Sequence, residues 1–286
     1  MRRCCFLSMD SLDGYVADDD LAIGPLAELG WDVETLSWRE RNVDWDMFDA
    51  VVIRTTWDYQ RDPAAFLQVL RQIESSDARL ENPLEIVRWN LDKAYLRGLE
   101  SDGVAIVPTL WERNYDPASF ESWLAELEVD ELIIKPRISA TAEFTFRLKA
   151  YDPSLENVFA ERPFLVQPFI PSVADEGEYS LFYFAGEFSH AIAKTPAFGD
   201  FRVQEEHGGL ITAMTPDDAM LGTGRFISDM ISPTPLYSRV DLIRGQSGDL
   251  LLMELELIEP ALYLRMDPRA PKRFAAAFDR MMSHSA

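Results

Sequence analysis

Apolar residues in the first part of the chain fall into short runs that alternate with helical spacings. Residues 4–9 read as a buried strand, 21–29 as a helix, 32–38 and 50–54 as strands, and 63–74 as a helix. Strands alternating with helices predict a parallel sheet with helices packed on it, and ligands of such sheets sit beyond the carboxyl ends of the strands. Asn82-Pro83 closes this region. Beyond it, 89–96 opens a helix, 120–127 repeats the helical spacing, and 131–136 and 164–170 read as buried strands. Gly177 starts a hairpin that turns at Ala185-Gly186. Residues 237–264 predict another, with strands at 238–244 and 250–257 about a turn at 245–249. The closing helix, 271–283, carries Phe274, Ala277, Phe278 and Met281 on one face, for which a core role suffices.

The polar positions inside the last hairpin change the picture. Asp241 sits mid-strand, and Glu254 and Glu256 lie two apart, so they project from one face. They are either the solvated outer face of an antiparallel sheet or a partnered cluster. The apolar run around them, Leu250 to Met253, Leu255, Leu257 and Ile258, favours the cluster, because carboxylates are rarely buried without partners or a metal. The three acids are expected to converge, and oxygen-only ligands with few carboxylates suit Mg²⁺ beside a phosphate.

A second polar group stands at a strand end, where Arg54-Thr-Thr-Trp57-Asp58-Tyr59 follows an apolar run. Arg54 is placed to hold a substrate carboxylate, with Trp57 and Tyr59 as walls and Asp58 facing an amine. The alternative is packing for the aromatics and a helix cap for Asp58. Lys135 ends a buried strand, where a phosphate would supply its counter-charge. His190 reads as structural, and no paired covalent nucleophile is evident.

Arg239-x-Asp241 followed by Glu254-x-Glu256 resembles the metal-binding hairpin of ATP-grasp ligases, in which an Asp is followed by Glu-x-Asn. Ala193-Lys194-Thr195-Pro196, then Phe201-Arg202 and Gly208-Gly209, is similar to the Arg…Gly-Gly segment of bacterial glutathione synthetase and of the ligase that adds glutamate to a ribosomal protein. With Asn90-x-Asp92-Lys93 and Lys135, the resemblance runs from about Asn82 to Leu264 and is to the glutathione-synthetase-like branch that includes the ring-closing ligase of cycloserine biosynthesis. It implies an α/β chain with the ATP-grasp fold: a Rossmann-like substrate domain at 1–88, a central lobe with a phosphate-covering lid at 89–165, and a C-terminal lobe with the metal site at 166–286. It further implies Lys93 and Lys135 on the nucleotide phosphates, Gln167 and Phe169 against adenine, and Glu178 near the ribose. Arg202 would stabilise the transferred phosphoryl group, with Lys194 in the same catalytic segment, and Gly208 and Gly209 would let the backbone approach substrate.

The sequence departs from that pattern in places. The lid, 137–147, contains no glycine, which leaves the Ser139 and Thr141 hydroxyls for phosphate. Glu256 stands where Asn is usual, and Ile258-Glu259-Pro260 replaces small hydroxyl-bearing residues. The added negative charge strengthens Mg²⁺ binding and hints at a substrate with a free amine or neutral nitrogen. The implied reaction joins a carboxylate to nitrogen through an acyl phosphate, releasing ADP and phosphate, either between two molecules or by ring closure within one. A kinase and a nucleotide-binding protein without turnover are the alternatives.

Composition narrows the partners. Acids outnumber bases 49 to 27, a formal net charge of −22, which argues against nucleic acid or an anionic membrane. A small amino-acid-like substrate is the expected partner, and analogy with the family adds a homodimer as an option. The two cysteines, adjacent at Cys4 and Cys5, argue against a disulfide framework. No signal-peptide-like run or membrane-length apolar stretch is present, so a cytoplasmic location is expected.

Overall fold

Strands rich in Val, Ile, Phe and Cys build the first layer. The computed structural model describes residues 1–283. Its first sheet contains β1 (Arg2–Ser8), β2 (Trp31–Ser37), β3 (Ala50–Thr55) and β4 (Arg79–Glu81), all parallel, in the order β2-β1-β3-β4. The helix Pro63–Glu74 packs on it and begins where Asp62 accepts a hydrogen bond from the Ala65 N–H at 3.1 Å. Pro63 at its first position has no N–H to strand.

The second sheet is antiparallel, with β5 (Leu110–Glu112), β6 (Leu132–Pro136), β7 (Phe146–Leu148) and β8 (Phe164–Pro168) in the order β5-β8-β6-β7. The third holds β9 (Glu178–Phe184), β10 (Glu187–Thr195), β11 (Leu210–Met214), β12 (Tyr237–Arg244) and β13 (Leu250–Glu256), in the order β11-β10-β9-β12-β13. Ala185 and Gly186 both take left-handed φ, 48° and 76°, as a two-residue hairpin turn of this hand requires. In the last hairpin Asp241 pairs with Glu254 and Arg239 with Glu256, and the register shifts just beyond Asp241.

Buried amides tie the first and third sheets. The Asn82 side chain donates to the carbonyls of Tyr237 (2.9 Å) and Leu257 (2.7 Å) and accepts from the Leu236 N–H. Asn90 donates to Leu255 O at 2.8 Å and accepts from the Leu257 N–H. The closing helix, Ala270–Ser283, shares one core with the first sheet, where Cys4 and Phe6 meet Phe182, Phe184, Phe274 and Phe278. No helix among the described residues is long and apolar enough to cross a membrane.

The chain does not form a continuous helix over 89–96. Helices Leu84–Asn90 and Tyr95–Ser101 are separated by a turn that carries Lys93. Asp92 causes the break: it accepts from the Ala94 N–H at 2.9 Å and is gripped by both Arg137 nitrogens at 2.8 and 2.6 Å. A lysine in that turn points where a helical one would not.

Candidate active site

A cleft of about 190 Å³ opens between the second and third sheets. One wall carries Ile133 and Lys135 of β6 with Gln167 and Phe169 at the end of β8; the opposite wall carries Met253 to Glu256 of β13. Strand alternation aims Arg239, Glu254 and Glu256 into it and places Asp241 and Ser180 in the sheet floor beneath.

That floor is a network of matched charges. The buried Lys194 pairs with Glu178 and lies 3.3 Å from Asp241. Arg239 grips Asp241 at 2.9 Å and also pairs with Glu256, while the Ser180 hydroxyl donates to Asp241 at 2.5 Å. Burial pushes the Asp241 carboxyl up, but Arg239 and Lys194 outweigh it and hold the group far below the usual carboxylate range. Lys93 lies 3.0 Å from Glu254 and donates to Ser139 O at 2.8 Å. Burial likewise opposes ionisation of Glu254, and Lys93 and Lys135 reverse it. Burial pushes the Glu256 carboxyl up to about 7, outweighing the pull of Arg239.

Two buried ionisable groups of the cleft form no ion pair among the described residues. Lys135 is only 8% exposed, its Nζ meets Met253 Sδ at 3.8 Å, and Glu254 acts on it through space. Burial lowers its pKa. Glu259 is also 8% exposed, and burial followed by the repulsion of Glu256 pushes its pKa well up.

Several expected site residues are placed differently from the sequence reading. Arg54 is buried and held internally: Asp19 takes its Nε at 2.7 Å, and the carbonyls of Ile53 and Pro260 accept from its two terminal nitrogens. It cannot hold a substrate carboxylate. Asp58 turns away from the cleft to Trp38 Nε1 (2.7 Å) and Arg39 (3.0 Å), and the helix cap is Asp62. Trp57 and Tyr59 do line the cleft. Gly209 serves its own loop, since a Cβ there would lie 2.1 Å from Val203 O, and Gly208 supplies a left-handed turn at φ 81°. Neither borders the cleft.

The convergence of Asp241, Glu254 and Glu256 also needs correction. Among the described residues no three His, Cys, Asp or Glu side chains form a group that could hold a metal ion. Asp241 has both oxygens engaged by Arg239, Lys194 and Ser180, so it organises cations instead. Lys194 lines the cleft but is locked between two carboxylates. Arg202 borders the cleft, half-exposed and clamped by Asp200 at 2.8 Å. Gln167 donates its amide to Thr109 at 3.0 Å, and Arg147 stacks 3.5 Å over one face of Phe169. Ser139 and Thr141, in the segment 137–147, line the cleft, with Thr141, Ala142 and Phe144 in left-handed backbone at φ 52–58°. The sequence reading gave no role to Arg239 or Glu259; their signal was a charge inside an apolar strand or beside one.

Comparison with known proteins identifies the family and the fold. Residues 4–82 match the family described as the N-terminal domain of the D-cycloserine synthetase DcsG. The chain is 30% identical to the cycloserine biosynthesis protein DcsG of Streptomyces lavendulae, over 90% of this chain and 93% of that one. The crystal structure of D-cycloserine synthetase DcsG superposes with a TM-score of 0.83 at 27% identity, covering 98% and 99% of the two chains. The ATP-grasp ligase PsnB, solved with a minimal precursor, Mg and ADP, shares the fold at a TM-score of 0.64 and 14% identity, covering 98% of each chain. So does the macrocyclase MdnC of Microcystis aeruginosa MRC, at 0.67 and 13%, covering 99% and 100%. The chain therefore belongs to the DcsG family of ATP-grasp ligases, ATP-dependent enzymes that form C–N bonds.

Proposed function

We propose that the protein is an ATP- and Mg²⁺-dependent carboxylate–amine ligase that acts on a small amino-acid-like substrate through an acyl phosphate, releasing ADP and phosphate. The observation that carries this reading is Lys135, a buried lysine that forms no ion pair among the described residues and lines a cleft walled by Ile133, Phe169, Met253 and Leu255. An apolar slot ending on an unmatched cation suits a nucleobase followed by phosphates. In this reading residues 1–88, 89–165 and 166–286 act as substrate domain, central lobe and C-terminal lobe.

The donor set fits the metal in one mode. Mg²⁺ is commonly held by one or two carboxylates plus phosphate and water, and Glu254 and Glu256 project into the cleft with side chains 26% and 28% exposed. When bound, ATP supplies the phosphoryl group that activates the carboxylate, and Mg²⁺ neutralises charge on the phosphates. Lys93 and Lys135 position those phosphates. Lys93 also holds the lid through Ser139, which links lid position to the charge at Glu254. Arg202 stands at the cleft edge to stabilise charge developing on the transferred group. Asp241 and Lys194 keep Arg239 and Glu178 fixed beneath. Catalysis is then positioning and electrostatics.

The similarity to DcsG favours ring closure within one molecule over coupling of two. The test is ADP release from ATP·Mg²⁺ against amino acids offered singly and in pairs. Release with one carboxylate alone, giving a product without phosphate, is expected for ring closure; a requirement for a second amine indicates coupling. A stable phosphorylated product, or no release with any substrate, would overturn the ligase reading.

A further inference from the structure

The cleft matches its charges in pairs, and the exceptions show what it lacks. Glu178, Glu254 and Glu256 each carry a cation, and Glu206 is exposed to solvent. Glu259 borders the same cleft, is 8% exposed, and forms no ion pair among the described residues. Lys93 and Arg239 act on it only through space.

Its position is fixed by its neighbours. Tyr237 donates its hydroxyl to Ile258 O at 2.9 Å, Trp57 its indole N–H to Glu259 O at 2.8 Å, and Arg54 a guanidinium N–H to Pro260 O at 3.0 Å. Consecutive carbonyls are pinned by buried donors, so this segment cannot swing out to hydrate the acid. The Tyr59 hydroxyl lies against the carboxyl, and Trp57 and Tyr59, both buried, enclose it from the first sheet. A buried carboxyl held this way gains from an incoming cation the partner that its surroundings deny it.

We propose that Glu259, enclosed by Trp57 and Tyr59, is a cation subsite that takes the protonated amino group of the substrate and selects for it. The proposal rests on the ligase reading above and names the group that reading leaves open. Lys135 and Glu259 then play opposite parts: the unmatched cation receives phosphate, and the unmatched acid receives ammonium. A ligand carrying both an amine and a reacting carboxylate is thereby oriented with its carboxylate away from the repulsive acid.

The experiment uses the full chain with ATP·Mg²⁺ and alanine, serine and 2,3-diaminopropionate of both hands, each beside its 2-hydroxy counterpart. Binding is read by calorimetry and ADP release separately, for wild type, Glu259→Gln and Glu259→Asp, with folding of each checked by circular dichroism. The amino member should be preferred by about ten- to a hundredfold in wild type, the scale of one hydrogen bond to a charged group. Glu259→Gln should erase that preference and Glu259→Asp retain part of it. Amine-dependent binding without ADP release would support the subsite and reject the ligase reading. ADP release indifferent to the amino group would keep the ligase and overturn the subsite. A preference that survives in Glu259→Gln, no binding of any probe at millimolar concentration, or a Glu259→Gln defect cured by added Mg²⁺ alone would also overturn it.

Discussion

The floor of the cleft and two residues of its lining, Lys135 and Glu259, handle buried charge in opposite ways. On the floor, Asp241, Lys194, Glu178 and Arg239 satisfy one another within hydrogen-bonding distance. Lys135 and Glu259 are equally buried and form no ion pair among the described residues. A matched buried pair costs dearly only when one member is removed, whereas a buried ionisable group without a pair is a standing cost that a ligand relieves. The floor is therefore built for position and these two residues for binding. Arg54 belongs with the floor, although it sits at a strand terminus where ligands are expected, because Asp19 pairs with it and the Pro260 carbonyl holds it inside the fold.

Substitutions that cross this division should have distinct signatures. Glu254→Gln should have the largest effect: it strips Lys93 of its partner and removes a carboxylate from the proposed metal site, so ADP release should fall by about 10²- to 10³-fold. Lys135→Met should weaken ATP·Mg²⁺ binding by about ten- to a hundredfold, the loss of a charged hydrogen bond, yet raise the melting temperature of the ligand-free protein. Its pH dependence has a definite sign. Burial lowers the lysine's pKa, so the folded protein binds fewer protons there than the unfolded chain. The cost is full at low pH and fades as pH rises towards 10.5, so the stability gap between Lys135→Met and wild type should narrow over that range in thermal melts. Arg54→Met should behave as a floor substitution, lowering stability in urea by about 3 kcal/mol because Asp19 loses its partner. Asp58→Asn should do least, within about 1 kcal/mol and with substrate KM unchanged, since its partner Arg39 is 34% exposed.

The sequence made much of the fold legible because period and turn chemistry act locally. The hairpin about 245–249 follows from two apolar strands and a polar turn, and the helix Pro63–Glu74 from its Asp-Pro start. What it hid were long-range pairings. Arg54 looks free until Asp19, far back in the chain, folds against it. Lys93 looks helical until Arg137 grips Asp92 and breaks the helix. The three hairpin acids were rightly placed along one face, but no local pattern shows that Arg239, two residues before Asp241, would turn onto it and remove it from a metal set. Glu259 was noticed only as a departure from a related motif; its burial depends on Trp57, Arg54 and Tyr237 converging on one short segment.

The most direct test compares these two residues, Lys135 and Glu259, with one ligand. Affinity for a non-hydrolysable ATP analogue with Mg²⁺ is measured for wild type, Lys135→Met and Glu259→Gln. The account predicts a loss of about tenfold or more for Lys135→Met and affinity within about twofold of wild type for Glu259→Gln. Equal losses in both, or none for Lys135→Met, would contradict the assignment of phosphate to Lys135 and ammonium to Glu259.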